Sequence, residues 1–269
     1  MTVPASAAPA GPPVGRARRA RVALDDCAMS YRVAGAGPPV VLLHGLSGSA
    51  LWWSRNVPHL ARSHTVYAIE HARLEAGLLR RRAPFALDAA ADRLARWMDA
   101  VGLDRASVVG HSMGGFIAAD FAARHPARVD RLVLVCAAAT PLARRGLDAA
   151  LGVARSAADL PPSLVPLLAY DALRTGPGAI VSTLRQLLDA DLSAGLPSIA
   201  APTLLVWGER DALVPLAHAE ALAALLPGAT LTVVEGAGHV PMWERPEAFN
   251  AALAEFLSPP RPPAAVRAP

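Results

Sequence analysis

A serine framed by glycines, Gly110-His111-Ser112-Met113-Gly114-Gly115, follows the apolar run Val108-Val109 and opens a helical pattern. The spacing G-x-S-x-G at a strand-to-helix turn has a physical reason. So tight a turn strains the serine backbone, and side chains at positions 110 and 114 would collide with it or with the adjoining strand. The hydroxyl then stands at a helix N-terminus, where backbone N–H groups and the helix dipole favour developing negative charge. A hydroxyl becomes a nucleophile only beside a base, and the base needs an orienting group. His239, in Gly238-His239-Val240-Pro241, follows the apolar run Thr230–Val234 and suits the base. Asp211 ends the stretch Leu204-Leu205-Val206-Trp207-Gly208-Glu209-Arg210-Asp211 and suits the orienting acid. That position is the carboxyl end of a strand, where sites on open α/β sheets form. Glu209, earlier in the same turn, is the rival and reads as a solvated or turn-stabilising group. The order Ser112, Asp211, His239, each after its own strand, is one of several that support two-step acyl transfer.

Acyl transfer also needs donors aimed at the oxyanion of the tetrahedral intermediate. The N–H of Met113, next after the serine, supplies one. The N–H of Leu46 supplies the other, in the loop after Val40-Val41-Leu42-Leu43-His44-Gly45. His44 precedes that loop and reads as its organiser rather than as a base. Trp52, His111, Leu168 and Val240 are the candidate pocket residues. Trp53 and the apolar residues Leu164, Val165, Leu167, Tyr170, Ile180 and Leu184 point the same way, to a hydrophobic acyl or alcohol site. Cys27 and Cys136 have neither C-x-x-C nor metal-ligand spacing, so no metal site is expected and Cys136 reads as a small core residue.

These side chains need a sheet beneath them. Strand candidates are Met29–Val33, Val40–Leu43, Thr65–Ile69, Ser107–Val109, Leu132–Val135, Thr203–Trp207 and Thr230–Val234. Several are apolar throughout, as strands covered on both faces are. Helical patterns alternate with them at Leu87–Val101, Met113–Arg124, Leu216–Leu226 and Pro246–Phe256. That alternation predicts a parallel sheet with crossover helices. Residues 141–199 interrupt it with short helical stretches broken at Pro161-Pro162, Gly176-Pro177 and Gly195-Leu196-Pro197, and predict an inserted helical cap. Residues 1–20 and 258–269, rich in Pro, Ala and Arg, read as disordered tails around one domain over 21–257.

The segments Leu43-His44-Gly45, Gly110 to Gly115, Gly208-Glu209-Arg210-Asp211 and Gly238-His239-Val240-Pro241, with Glu244-Arg245-Pro246 beyond, resemble the α/β-hydrolase superfamily. The likeness is to its branch of small bacterial serine esterases, haloperoxidase-like enzymes and C–C bond hydrolases, and spans residues 25–257. It implies a mostly parallel eight-stranded sheet flanked by helices, with a small helical cap over the site. Serine at 112 sets the chain apart from the aspartate-nucleophile members. One departure stands out: relatives carry an acidic residue and then a glycine-rich turn after the third strand. Here Glu70 keeps the acid, while the turn is replaced by His71-Ala72-Arg73-Leu74-Glu75-Ala76-Gly77 and Arg80-Arg81-Arg82.

Composition narrows the rest. The chain of 269 residues fits one large α/β domain. Its 26 basic residues are all arginine, the net charge is +4, and they spread along the sequence without a nucleic-acid motif. No nucleic-acid partner and no membrane span is expected, and no signal-peptide pattern opens the chain, so the expected location is cytoplasmic. The expected reaction is hydrolysis of a small to medium hydrophobic carboxylic ester through an acyl-enzyme, without cofactor. C–C bond cleavage, thioester or lactone hydrolysis and perhydrolysis use the same residues and stay open. So does a slow-turnover ligand-binding homologue, or one docking a pathway partner through the arginines at 80–82. Oligomeric state is not legible.

Overall fold

The computed structural model describes residues 17–71, 85–140, 152, 155–156 and 159–258. The arginines at 80–82 and the altered turn beyond His71 lie outside the described residues, as do most of the two tail segments and the start of the 141–199 stretch.

Eight strands form one sheet. In chain order they are β1 Arg18–Ala23, β2 Ala28–Ala34, β3 Pro39–Leu43, β4 Thr65–Ile69, β5 Ala106–His111, β6 Val129–Val135, β7 Thr203–Gly208 and β8 Thr230–Val234. Their spatial order is β1-β2-β4-β3-β5-β6-β7-β8. The pairings β1–β2 and β2–β4 are antiparallel and all the others are parallel. The interior strands β3 to β7 are buried along nearly their whole length, which the unbroken apolar runs require.

Strand β1 begins inside the stretch that composition leaves as a tail. Its residues, RRARVA, alternate between exposed and half-buried. Such an edge strand carries no apolar signal, and its arginines discourage a second chain from pairing there.

The helices among the described residues are α1 Val57–Leu60, α2 Ala90–Ala100, α3 Met113–Arg124, α4 Val165–Thr175, α5 Pro177–Asp189, α6 Leu216–Leu225, α7 Pro241–Glu244 and α8 Pro246–Leu257. Helix α3 lies across β5 and β6 and packs on α2, while α6 packs on β7 and β8. The scarce aromatics are spent inside: Trp53, Trp97, Trp207, Phe121 and Phe249 are fully buried. Burying one such side chain contributes roughly 1.5–3 kcal/mol.

Helices α4 and α5 lie between β6 and β7. Gly176, at φ 81°, separates them, and Pro177 sits at the first turn of α5 where its missing N–H costs nothing. No helix among the described residues is long and apolar enough to cross a membrane.

Candidate active site

Ser112 lies between β5 and α3 with φ 54° and ψ −116°, a region rarely adopted by a residue with a side chain. Its neighbours hold it there. The Ser112 N–H donates to the Val135 carbonyl (2.9 Å), and its own carbonyl accepts from Gly115 (2.9 Å) and Phe116 (3.1 Å). A Cβ at Gly110 would strike the Gly114 carbonyl, and one at Gly114 would strike the Leu43 and His44 carbonyls. The glycines therefore buy close approach of three backbone segments beneath the hydroxyl.

His239 arrives on the loop after β8. Its Nε2 lies 3.1 Å from Ser112 Oγ and its Nδ1 lies 2.8 Å from Asp211 Oδ2. The second Asp211 oxygen accepts the N–H groups of Leu213 and Val214, both at 2.9 Å. Burial pushes the Asp211 carboxyl up, but the charge and hydrogen bond of His239, with help from Val214 and Cys136, outweigh it and hold the group below the usual carboxylate range. Asp211 is thus ionised and oriented, with Nδ1–H of His239 donating to it. Nε2 is left to face the serine as an acceptor. Glu209 takes no part: its carboxylate accepts the Gly236 N–H at 2.9 Å and fixes the turn.

The other histidines of the neighbourhood are structural. His44 Nδ1–H donates to the Gly45 carbonyl (2.8 Å), and its Nε2 accepts the His71 N–H (3.3 Å). Burial drives both His44 and His71 down to about 3, so both stay neutral. His111 Nε2–H donates to the His239 carbonyl at 2.8 Å, and burial likewise takes this imidazole to about 3. His111 therefore supports the loop that carries His239 as well as facing the pocket.

Met113, as the first residue of α3, has an N–H without an intrahelical acceptor. Leu46 N–H also has no acceptor among the described residues. Leu46 lines the same cavity as Ser112, and Met113 follows Ser112 directly at the start of α3.

A mostly apolar cavity of about 340 Å³ opens over Ser112 and His239. Trp52, His111, Leu168 and Val240 all line it, with Leu184 and Leu187 from the insertion. Not every apolar residue of the insertion reaches it. Val165 and Tyr170 are 49% and 58% exposed, and Leu164 is buried core. Trp53 turns away from the cavity and packs near Phe249, 6.3 Å between centroids.

Two contributors escape a reading by motif. Glu244 brackets His239, its carboxylate oxygens accepting the N–H groups of Gly238 (2.7 Å) and Val240 (2.9 Å), one on each side of it. Cys136, at φ 45°, places its sulfur within 4.8 Å of donor atoms of Asp211 and His239. Burial pushes that thiol well up, so it stays protonated beside the carboxylate and acts as a weak donor to it.

A model of the alpha/beta hydrolase family matches residues 40–252. A 2-hydroxy-6-oxo-6-phenylhexa-2,4-dienoate hydrolase of Comamonas testosteroni is 28% identical over 278 residues, covering 87% of this chain and 92% of its own. Among solved structures, an N-acyl homoserine lactone degrading enzyme superposes with a TM-score of 0.77 at 29% identity, over 88% of this chain and 100% of that one. A bacterial membrane phospholipase A does so with a TM-score of 0.77 at 28% identity, over 90% and 86%.

Proposed function

The chain belongs to the alpha/beta hydrolase family, and on that footing we propose that it is a serine hydrolase cleaving a small to medium hydrophobic carboxylic ester through an acyl-enzyme. The observation that carries this reading is the unbroken relay from Ser112 Oγ through the His239 imidazole to Asp211, at 3.1 and 2.8 Å. In the first step the Ser112 oxygen bonds to the acyl carbon while its proton passes to His239 Nε2. Asp211 stabilises the imidazolium and keeps its tautomer. The N–H groups of Leu46 and Met113 bind the oxyanion, each worth on the order of 10²–10³ in rate. Collapse of the intermediate expels the alcohol, which takes the proton from His239. Water, deprotonated by the same imidazole, then releases the acid and restores Ser112.

The apolar lining of the cavity supports a hydrophobic substrate. The phospholipase and the lactone-degrading enzyme, at 28% and 29% identity, support an acyl–oxygen bond as the one broken. A lactone is the second reading, since ring opening needs the same steps. The test is a panel of esters and lactones on the purified protein, run beside Ser112→Ala and a fluorophosphonate label. Turnover and labelling at Ser112 are expected in the wild type and neither in the variant. Full turnover by Ser112→Ala would overturn the assignment.

A further inference from the structure

The loop after β3 holds Ser47 at φ 50°, and such a backbone persists only where its surroundings over-determine it. The residues that follow it are held from far along the chain. Asp171, on α4, is completely buried. Its Oδ2 accepts both the Ser49 hydroxyl and the Trp52 indole N–H, each at 2.9 Å. Arg174, one turn on, donates to Glu70 (2.9 Å) and to the Gly48 carbonyl (3.4 Å), and lies 3.7 Å from the other Asp171 oxygen. Glu70, just past β4, completes the cluster by accepting the Ala50 N–H at 3.1 Å. Gly48, Ser49, Ala50 and Trp52 are thus gripped by three charged side chains. Leu51 itself donates its N–H to Ser49 Oγ (3.3 Å).

We propose that Asp171 is a positioning residue, seating Trp52 as a wall of the cavity by holding its indole N–H and the Ser49 hydroxyl on one carboxylate oxygen. Its rate consequences rest on the serine-hydrolase reading. Asp171 touches neither Ser112 nor His239. It acts through Trp52, whose ring lies 5.7 Å from that of His111, which in turn donates to the His239 carbonyl. Packing alone does not call for an acid here. A buried carboxylate carries a desolvation cost that an apolar residue of similar volume avoids, so the carboxylate is explained by the donors it must satisfy. The arrangement ties the position of the inserted helix to the shape of the pocket.

A double-mutant cycle tests this, using Asp171→Leu, Trp52→Phe and the pair, with kcat and KM read on p-nitrophenyl acetate and octanoate. Each single change is expected to lower kcat/KM on octanoate roughly ten- to a hundredfold, the scale of small misplacements. The loss should fall mainly in KM, and the pair should be no worse than the worse single. Additive losses would show that Asp171 does not act through Trp52 and would overturn the proposal. Hydrogen exchange at Leu51 N–H gives a second readout without substrate. Exchange should accelerate at least about tenfold in Asp171→Leu, which leaves the Ser49 hydroxyl without its acceptor, and unchanged exchange overturns the proposal. Should that variant not fold, Ser49→Ala removes one donor and should shift KM in the same direction by less. If wild type neither turns over an ester nor labels at Ser112, the serine-hydrolase reading fails while the exchange result still decides the positioning role.

Discussion

At the scale of single residues, Ser112 holds strain that the proposed chemistry would use. A backbone at φ 54° costs of order 1–3 kcal/mol for a residue with a side chain. Ser112→Gly should therefore unfold at an equal or higher denaturant concentration than wild type while losing all turnover, and a clear loss of stability would contradict the strain. Asp211→Asn keeps the shape but presents an amide where the His239 Nδ1–H needs an acceptor. It should lower kcat by on the order of 10⁴ with little change in KM, measured on any accepted ester. Ser112, Asp211 and His239 were legible in the sequence because each follows an apolar strand and stands in its own short glycine-marked turn. The contacts of Glu244, the place of Cys136 and the second duty of His111 were not. These residues act on backbone atoms or on another side chain, and such contacts leave no spacing to recognise. Val165 and Tyr170 misled for the opposite reason, since an apolar residue on a helix does not reveal which way the helix is turned.

At the scale of elements, the site depends on three segments meeting with no side chain between them. Gly114→Ala would drive a Cβ into the Leu43 and His44 carbonyls, which are backbone and cannot swing aside. The expected cost exceeds about 2 kcal/mol, a typical penalty for overpacking, read as a shift in the urea midpoint at unchanged slope. A midpoint unmoved from wild type would mean that α3 slides freely on β3. The crossover elements were readable because apolar runs and helical periodicity are local. Strand β1 was not, because an arginine-rich edge needs only hydrogen bonds from β2 and no apolar pattern. Helix α7, just past His239, and the segment after β3 are also joined: Arg55 donates to the Trp243 carbonyl (2.9 Å) and Asn56 to that of Met242 (3.0 Å). These partners stand more than 180 positions apart, beyond the reach of any window on the sequence.

For the whole molecule, three neutral histidines buried under the site make stability depend on pH. His44, His71 and His111 are held near 3, whereas an unfolded chain protonates them near 6.5. Below about pH 6.5 the unfolded state binds more protons, so stability falls with acid until the folded groups titrate near 3. Each fully shifted group contributes a slope of about 1.4 kcal/mol per pH unit in that window. Denaturant titrations should be flat from about pH 7 to 8 with respect to these groups and should steepen below 6.5, less so in His71→Gln. Equal slopes in the two proteins would show that His71 is not held neutral.

The proton between Asp211 and His239 has a use beyond the reaction. It lies between heavy atoms 2.8 Å apart, on an imidazole whose side chain is 11% exposed. Shielded in this way from bulk water, it should persist long enough to resonate downfield of the amide envelope, in a nearly empty part of the proton spectrum. That signal would act as a clock for assembly: during refolding it can appear only after the turns behind β7 and β8 have docked, with no substrate present to report it.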